Sequence, residues 1–154
     1  MSQLAISVRD LSKEYPSSAG VSRASFDVPL GSVTGFVGPN GAGKTTTIRM
    51  LLSLIEPSSG TIEIFGSDLK KNRKAILKQI GAVIERPDLY KYLSALEHLS
   101  IFARLSGIRL SKNELMDQLD RVGLSERARS PVKTFSQGMK QRLGIAVALV
   151  HDPK

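Results

Sequence analysis

The sequence contains no cysteine, and it has far fewer acidic than basic residues. Without thiols the chain can form no disulfide, no thiolate metal site and no cysteine nucleophile. It has no apolar run approaching the ~20 residues that a bilayer-spanning helix needs, and its first ten residues lack the basic start and apolar stretch of a signal peptide. We therefore expect an intracellular protein.

The charge balance is strongly positive. The 154 residues include 22 Lys and Arg against 14 Asp and Glu, a formal net charge of +8, which favours polyanions: nucleotides, nucleic acid or an anionic membrane surface. The densest basic run, Lys70–Lys74, predicts a solvated helix face rather than a nucleic-acid patch, because no aromatic side chains interleave with it. His98 and His151 each stand alone on a helical pattern, and we interpret both as surface or packing residues rather than metal ligands.

The chain begins as a strand-rich segment and becomes helical after Pro87. Short apolar runs bounded by Gly, Pro or Ser predict strands at 5–11, 22–28, 32–38 and 60–66. The nearly continuous apolar run at 80–85 predicts a strand buried on both faces. A helix is predicted at 43–55, closed by the Pro57 turn.

Three further helices are predicted in the second half of the chain. The segments 94–107 and 111–123 each open with the Ser-x-x-Glu spacing of a capping box. Ser136 stands at the N-cap position of the third helix.

Residues Gly38–Thr45, GPNGAGKT, match the phosphate-binding pattern G-x-x-x-x-G-K-[ST] between a predicted strand and a predicted helix. Glycines let the backbone point several N–H groups at one anion, and the helix N-terminus adds its positive dipole end. Lys44 would reach the β- and γ-phosphates, Thr45 would bind Mg²⁺ and Thr46 would face the α-phosphate. The pattern predicts a nucleoside triphosphate site made by Gly38, Pro39, Asn40, Gly41, Ala42, Gly43, Lys44, Thr45 and Thr46.

The loop alone does not decide the class of protein. A GTPase would need the guanine-reading N-K-x-D, which the sequence lacks. The D-x-x-G match at Asp120–Gly123 is better explained as the capped end of an amphipathic helix, since Leu115, Leu119 and Val122 recur at helical spacing. A small-molecule kinase remains compatible with the loop.

Residues Phe135–Arg142, FSQGMKQR, resemble the signature segment L-S-G-G-Q-R-Q-R of ATP-binding cassette (ABC) proteins. Ser136, Gly138, Gln141 and Arg142 match the pattern, whereas residues 135, 137 and 139 depart from it. Taken alone, the segment is equally an ordinary capped helix. In the family it faces the γ-phosphate held by a second subunit. The resemblance therefore implies that four residues act in trans: Ser136, Gln137, Gly138 and Met139.

The resemblance implies two further nucleotide contacts. Tyr15 lies where the family stacks an aromatic ring on adenine, although it could equally be a strand or turn aromatic. Glu85 lies where the family usually has a Gln that contacts Mg²⁺ and the attacking water. A carboxylate is a natural Mg²⁺ ligand, so Thr45 and Glu85 are the implied metal ligands, and the alternative for Glu85 is a solvent-facing strand end. Lys44 and Glu85 would contribute to catalysis without forming a complete catalytic set.

The resemblance also implies partners. Glu85 and the residues after it are similar to those of the bacitracin-resistance and lantibiotic self-protection exporters. Tyr90, Tyr92 and Leu93, within Arg86–Leu93, are the implied docking residues for a separate transmembrane permease, with local packing as the alternative for Leu93. We expect an ATP-binding exporter subunit that binds ATP and Mg²⁺, pairs with a second such subunit, binds no nucleic acid and lies in the cytoplasm on the inner face of the membrane.

The implied fold class is α/β: a P-loop NTPase core of the ABC ATPase type, with an antiparallel β subdomain and a helical signature subdomain. Residues 1–87 would form the N-terminal part of the nucleotide-binding core, 88–150 the helical subdomain and 151–154 the return to the core. We expect a truncated, marginally stable chain, because the Walker B strand and the later catalytic Glu and His of a cassette do not follow. Losing a general base alone would slow turnover by about 10²–10⁴-fold.

Two alternatives to the exporter subunit follow from the same residues. One is a nucleotide-binding remnant or regulatory module without turnover. The other is a soluble ABC protein acting on the ribosome or on nucleic acid, which only the net charge of +8 supports.

Overall fold

The computed structural model describes residues 3–16, 18–85, 87 and 89–154. The chain divides into two compact units, Met1–Leu77 and Lys78–Lys154.

The first unit is built on an antiparallel sheet of four strands in the order β2-β1-β3-β4. The strands are β1 (Leu4–Tyr15), β2 (Ser18–Pro29), β3 (Ser59–Ile64) and β4 (Ser67–Asp68). In the middle of β1, Val8 lies opposite Phe26 of β2 and Ile62 of β3. Since side chains alternate along a strand, Val8, Ile62 and Ile64 share the face that is buried.

Two helices complete the first unit: α1 (Lys44–Leu51) and α2 (Leu69–Leu77). Helix α1 buries Thr47 and Met50, and α2 buries Leu69 and Ile76. The basic run Lys70–Lys74 is exposed along α2, as predicted for a solvated helix face.

The second unit is helical, with α3 (Ala95–Leu105), α4 (Lys112–Arg121), α5 (Gln137–Leu149) and two short 3₁₀ turns, Ser125–Arg127 and Val132–Thr134. Its core is apolar and includes the fully buried Leu99, Leu119 and Leu143. Both predicted capping boxes are confirmed at the starts of α3 and α4. The D-x-x-G match lies at the end of α4, where Gly123 has a φ of 64°. No helix in the described part of the chain is both long and apolar enough to cross a bilayer.

Two of the predicted strands are wrong. Residues 32–38 and 80–85 have no regular secondary structure, and no strand among the described residues pairs with either segment. Val33 and Val37 are exposed, and Val83 is 44% exposed rather than buried on both faces. A strand exists only through hydrogen bonds to a neighbour, and an apolar sequence does not by itself supply that neighbour.

The exposed side chains of Val33 and Val37 predict an apolar, aggregation-prone surface on the 154-residue chain. Replacing Val33 and Val37 together with Thr should lower the fluorescence of a bound hydrophobic dye and slow aggregation. The free energy of unfolding should stay unchanged, because neither side chain is buried. The matched control is Val132→Thr. Val132 is fully buried, so its hydroxyl should cost about 1–3 kcal/mol in chemical denaturation. Equal destabilisation by both changes would contradict the exposure of 32–38.

Candidate nucleotide-binding site

The segment Gly38–Gly43 forms a loop that leads directly into α1. Gly41 and Gly43 have φ values of 83° and 85°, in the left-handed region that glycine adopts most readily. The Ala42 N–H donates to the Pro39 carbonyl at 3.2 Å, which tightens the turn. The loop therefore ends at the start of α1, where the first amides of any helix have no intrahelical acceptor.

Gly43 is also packed closely against the sheet. A Cβ built on Gly43 would lie 2.7 Å from Val21 Cγ2 on β2, closer than carbon atoms approach without displacement. Val21 is itself 9% exposed, so it has little room to move. The junction between loop and helix is thus held against β2 by a contact that leaves no space for a side chain.

Thr47 supports the same junction and was missed by the sequence reasoning. Its hydroxyl donates to the Gly43 carbonyl at 3.0 Å, and its backbone N–H donates to the same oxygen at 2.8 Å. The side chain is 2% exposed. The signal was a hydroxyl four residues after the last glycine, where it lies one helical turn from that carbonyl.

Lys44 folds back over the loop. Its Nζ donates to the Gly38 carbonyl at 2.7 Å and to the Pro39 carbonyl at 2.8 Å. An ammonium group has three donors, so these two bonds fix the charge at the loop and leave one donor for an anion.

The surroundings of Lys44 also favour negative charge. The first turn of α1 contains no acidic residue, so no side chain there neutralises the helix N-terminus. Thr45 is exposed and Thr46 is half-buried. No cluster of three or more His, Asp or Glu side chains suited to a metal occurs in the described part of the chain.

Tyr15 ends β1 and is 37% exposed. The Lys13 ammonium lies 5.5 Å from the centre of its ring and donates to the Glu56 carbonyl at 2.8 Å. The ring is accessible, and its predicted stacking on adenine stays a prediction.

In the second unit, Ser136 is the N-cap of α5, as predicted. Its hydroxyl oxygen accepts the Met139 N–H at 3.2 Å. The amides of Gln137 and Gly138 are left at the helix start, where such groups favour an anion. A Cβ on Gly138 would meet nothing within 4 Å, so the helix start is open on the Cβ side of Gly138.

Glu85 and the implied docking residues belong to the second unit. Glu85 is exposed and has a φ of 56°, so it does not end a strand as predicted. Tyr90 and Tyr92 are 60% and 83% exposed, whereas Leu93 is half-buried. Within the docking stretch, Arg86 and Asp88 lie outside the described residues.

A close contact within the second unit joins Pro87 to α5. A Cβ on Gly144 would lie 2.8 Å from Pro87 Cβ, so the Pro87 ring packs directly on the helix backbone.

Comparison with known proteins agrees with both motifs. The profile of the ABC transporter family matches residues 21–154, which is most of the chain. The chain belongs to the ABC transporter family. It is 50% identical over 149 residues to the bacitracin transport ATP-binding protein BcrA of Bacillus licheniformis, covering 97% of this chain and 48% of that protein. It is 37% identical to the lantibiotic transport ATP-binding protein SrtF of Streptococcus pyogenes, covering 97% and 63%.

Solved ABC structures share the fold. An ATP-binding subunit of an ABC transporter superposes with a TM-score of 0.81 at 34% identity, covering 97% of this chain and 63% of that one. The cbiO1 protein of Clostridium perfringens, part of the ABC transporter complex cbiONQ, superposes with a TM-score of 0.83 at 26% identity, covering 99% and 63%. The α/β fold class with an antiparallel sheet and a helical part is therefore confirmed. The chain spans about half the length of the bacitracin relative and under two thirds of these structures.

Two departures from the ABC signature pattern have a structural explanation. Phe135 is 4% exposed and belongs to the core of the second unit. The Arg127 guanidinium lies 5.9 Å from the centre of its ring. Met139 is partly buried against the same core. Both positions therefore anchor the start of α5, whereas Gln137 is exposed.

The two loop glycines predict different costs of substitution in this ABC protein. Gly41→Ala should destabilise the chain by about 1–2 kcal/mol, because an L-residue is placed in the left-handed region. Gly43→Ala should cost about 1–3 kcal/mol more, since its methyl group also displaces Val21. Chemical denaturation of the two variants measures both values. A Gly43 variant no less stable than the Gly41 variant would contradict the tight packing on β2.

Proposed function

We propose that this chain is the nucleotide-binding part of an ABC exporter subunit, which couples ATP binding and hydrolysis to transport through a separate permease. The observation that supports this most directly is the position of Lys44. Its charge is held at a loop that ends in the free amides of α1. A cation and the amides of a helix start therefore lie at the same loop, a combination that favours a bound triphosphate.

Each candidate residue has a proposed role at this site. Lys44 contacts the β- and γ-phosphates, the Gly38–Gly43 amides surround the β-phosphate, and Thr46 contacts the α-phosphate. Tyr15 stacks on adenine. Mg²⁺ is held by Thr45 and Glu85 together with phosphate oxygens.

The start of α5 is proposed to act on a second subunit. Ser136 and the amides of Gln137 and Gly138 would contact the γ-phosphate bound by that subunit, because a helix start with free N–H groups stabilises an anion. Met139 belongs to the same segment, and its side chain holds the helix start against the core.

The substrate class and the membrane partner are proposed from the relatives. The relatives of this chain include bacitracin and lantibiotic transport proteins, so an antibiotic peptide is the proposed transported substrate. The exposed Tyr90 and Tyr92, with Leu93 beside them, are the proposed contact with the permease. Such a protein works on the cytoplasmic face of the membrane and has no need of nucleic acid.

Removing the loop cation tests the central proposal. Lys44→Ala should weaken ATP binding about 10- to 150-fold, since a hydrogen bond to a charged group contributes about 1.5–3 kcal/mol. Titration calorimetry with MgATP measures the affinity. Lys71→Ala removes the same charge from the exposed face of α2 and serves as the control. Equal losses in the two variants would mean that only net charge matters and would overturn the proposal. ATP binding without hydrolysis would support the alternative of a module without turnover.

The carboxylate at position 85 gives a separate prediction about the metal. Glu85→Gln should leave ATP affinity nearly intact and move the Mg²⁺ midpoint to higher concentration, because an amide binds Mg²⁺ more weakly than a carboxylate does. Titrating Mg²⁺ at fixed ATP measures the shift. Glu126→Gln, at another exposed acid, should have no effect. Identical Mg²⁺ curves for the parent chain and the Glu85→Gln variant would count against the metal role.

A further inference from the structure

A histidine that the proposed mechanism does not use is buried in the second unit. His98, on the first turns of α3, is fully buried. Its ring lies between Tyr90, at 5.7 Å between ring centres, and Phe102, at 6.4 Å. A completely buried imidazole needs partners for both nitrogens.

The partners of the His98 ring determine its protonation. The Tyr90 backbone N–H donates to Nε2 at 2.7 Å, and Nδ1 lies 3.2 Å from the Ser94 carbonyl. An amide N–H can only donate and a carbonyl can only accept. Nε2 must therefore carry a lone pair and Nδ1 the proton, so the ring is neutral in one defined tautomer.

Through Tyr90, His98 holds the start of an exposed segment. Further along this segment, Val132 N–H donates to the Leu93 carbonyl at 2.9 Å and Lys133 N–H donates to the Lys91 carbonyl at 2.7 Å. Those bonds fix the later part of the segment, and the bond to His98 fixes the backbone at Tyr90. The side chains of Tyr90 and Tyr92 on this segment are exposed.

We propose that neutral His98 is the positioning residue for the Tyr90–Leu93 segment and that protonation of its ring releases the segment at Tyr90. A protonated imidazole has an N–H on both nitrogens. Its Nε2–H would then face the Tyr90 N–H, donor against donor, and the bond at Tyr90 would be lost.

The direction of the pH effect follows from burial. Desolvation lowers the pKa of His98 below its ordinary value of 6.5, against smaller opposing effects of the Ser94 carbonyl and of Glu97. The folded chain therefore binds the proton less readily than the unfolded chain does. The segment is held at neutral pH, and the stability that the neutral ring contributes is lost as pH falls below about 6.5.

Glu97 is the charged group that acts on the pKa of His98. The Glu97 carboxylate accepts the Ser94 N–H and hydroxyl, both at 2.7 Å, and these bonds lower its pKa. Glu97 therefore stays ionised. The other titratable side chains along this segment and its anchors are the Tyr90 phenol and the ammonium groups of Lys91 and Lys133. Among the described residues around this segment, His98 is the group whose protonation removes the acceptor of the Tyr90 N–H.

The test uses the 154-residue chain without nucleotide or partner. In ¹⁵N NMR spectra, the His98 ring should show the Nδ1–H tautomer at pH 7.5. The Tyr90 amide shift should follow the His98 titration, and its protection from hydrogen exchange should fall about tenfold once the ring is protonated. A Tyr90 amide that ignores the His98 titration would overturn the proposal, and this measurement needs no substitution.

Substitutions separate the acceptor from the packing. In His98→Phe the ring remains without an acceptor, so the Tyr90 amide should be unprotected at every pH while the amides of α4 stay protected. His98→Gln offers an uncharged acceptor, so protection should return and no longer depend on pH. His151→Gln is the control and should titrate like the parent chain. The proposal would be contradicted by a protected Tyr90 amide in the His98→Phe variant. It would also be contradicted if the Tyr90 amide of the His98→Gln variant still lost protection below pH 6.5.

A role of this segment in binding a permease rests on the proposed function, because Tyr90 and Tyr92 are the proposed docking residues for that permease. The positioning role does not rest on it. Loss of ATP binding in Lys44→Ala leaves the NMR result unaffected, and a failed NMR test leaves nucleotide binding in place, so the two can fail separately.

Discussion

The contact between Gly43 and Val21 is the constraint on which the Gly38–Gly43 loop depends. It joins the start of α1 to β2 without an intervening side chain, and Thr47 ties the same residue to the helix through the Gly43 carbonyl. The loop can then present its amides because its end is fixed, while the middle of the loop stays exposed. Binding energy is used most effectively when donors are held in place before the ligand arrives.

The α-helix starts among the described residues fall into two kinds. Helices α3 and α4 each carry a Glu in the first turn that bonds back to the N-cap amide, and at the start of α2 the Asp68 carboxylate accepts the Lys71 N–H at 2.9 Å. Helices α1 and α5 have no acidic residue in the first turn. The helix starts without such a carboxylate are those that lie within the two ABC motifs, which is where an external phosphate is proposed to bind.

Local signals in the sequence predicted more than distant ones. The capping boxes, the Ser136 N-cap and the glycine turn at Gly41–Gly43 each depend on residues close together in the chain, and all three are present in the structure. The predictions of strands at 32–38 and 80–85 were wrong because strand pairing depends on a partner far along the chain. Thr47 and His98 were missed as contacts for a related reason. Their partners, a backbone carbonyl and a backbone amide, carry no residue-specific signal.

The close packing of Gly144 on Pro87 has a mechanical consequence. Protein interiors are nearly incompressible, and at this point a proline ring touches a helix backbone with no flexible side chain between them. A push on the Pro87 backbone cannot be absorbed there by a change of rotamer. We therefore expect a displacement of the Pro87 ring to move the α5 backbone at Gly144 with it.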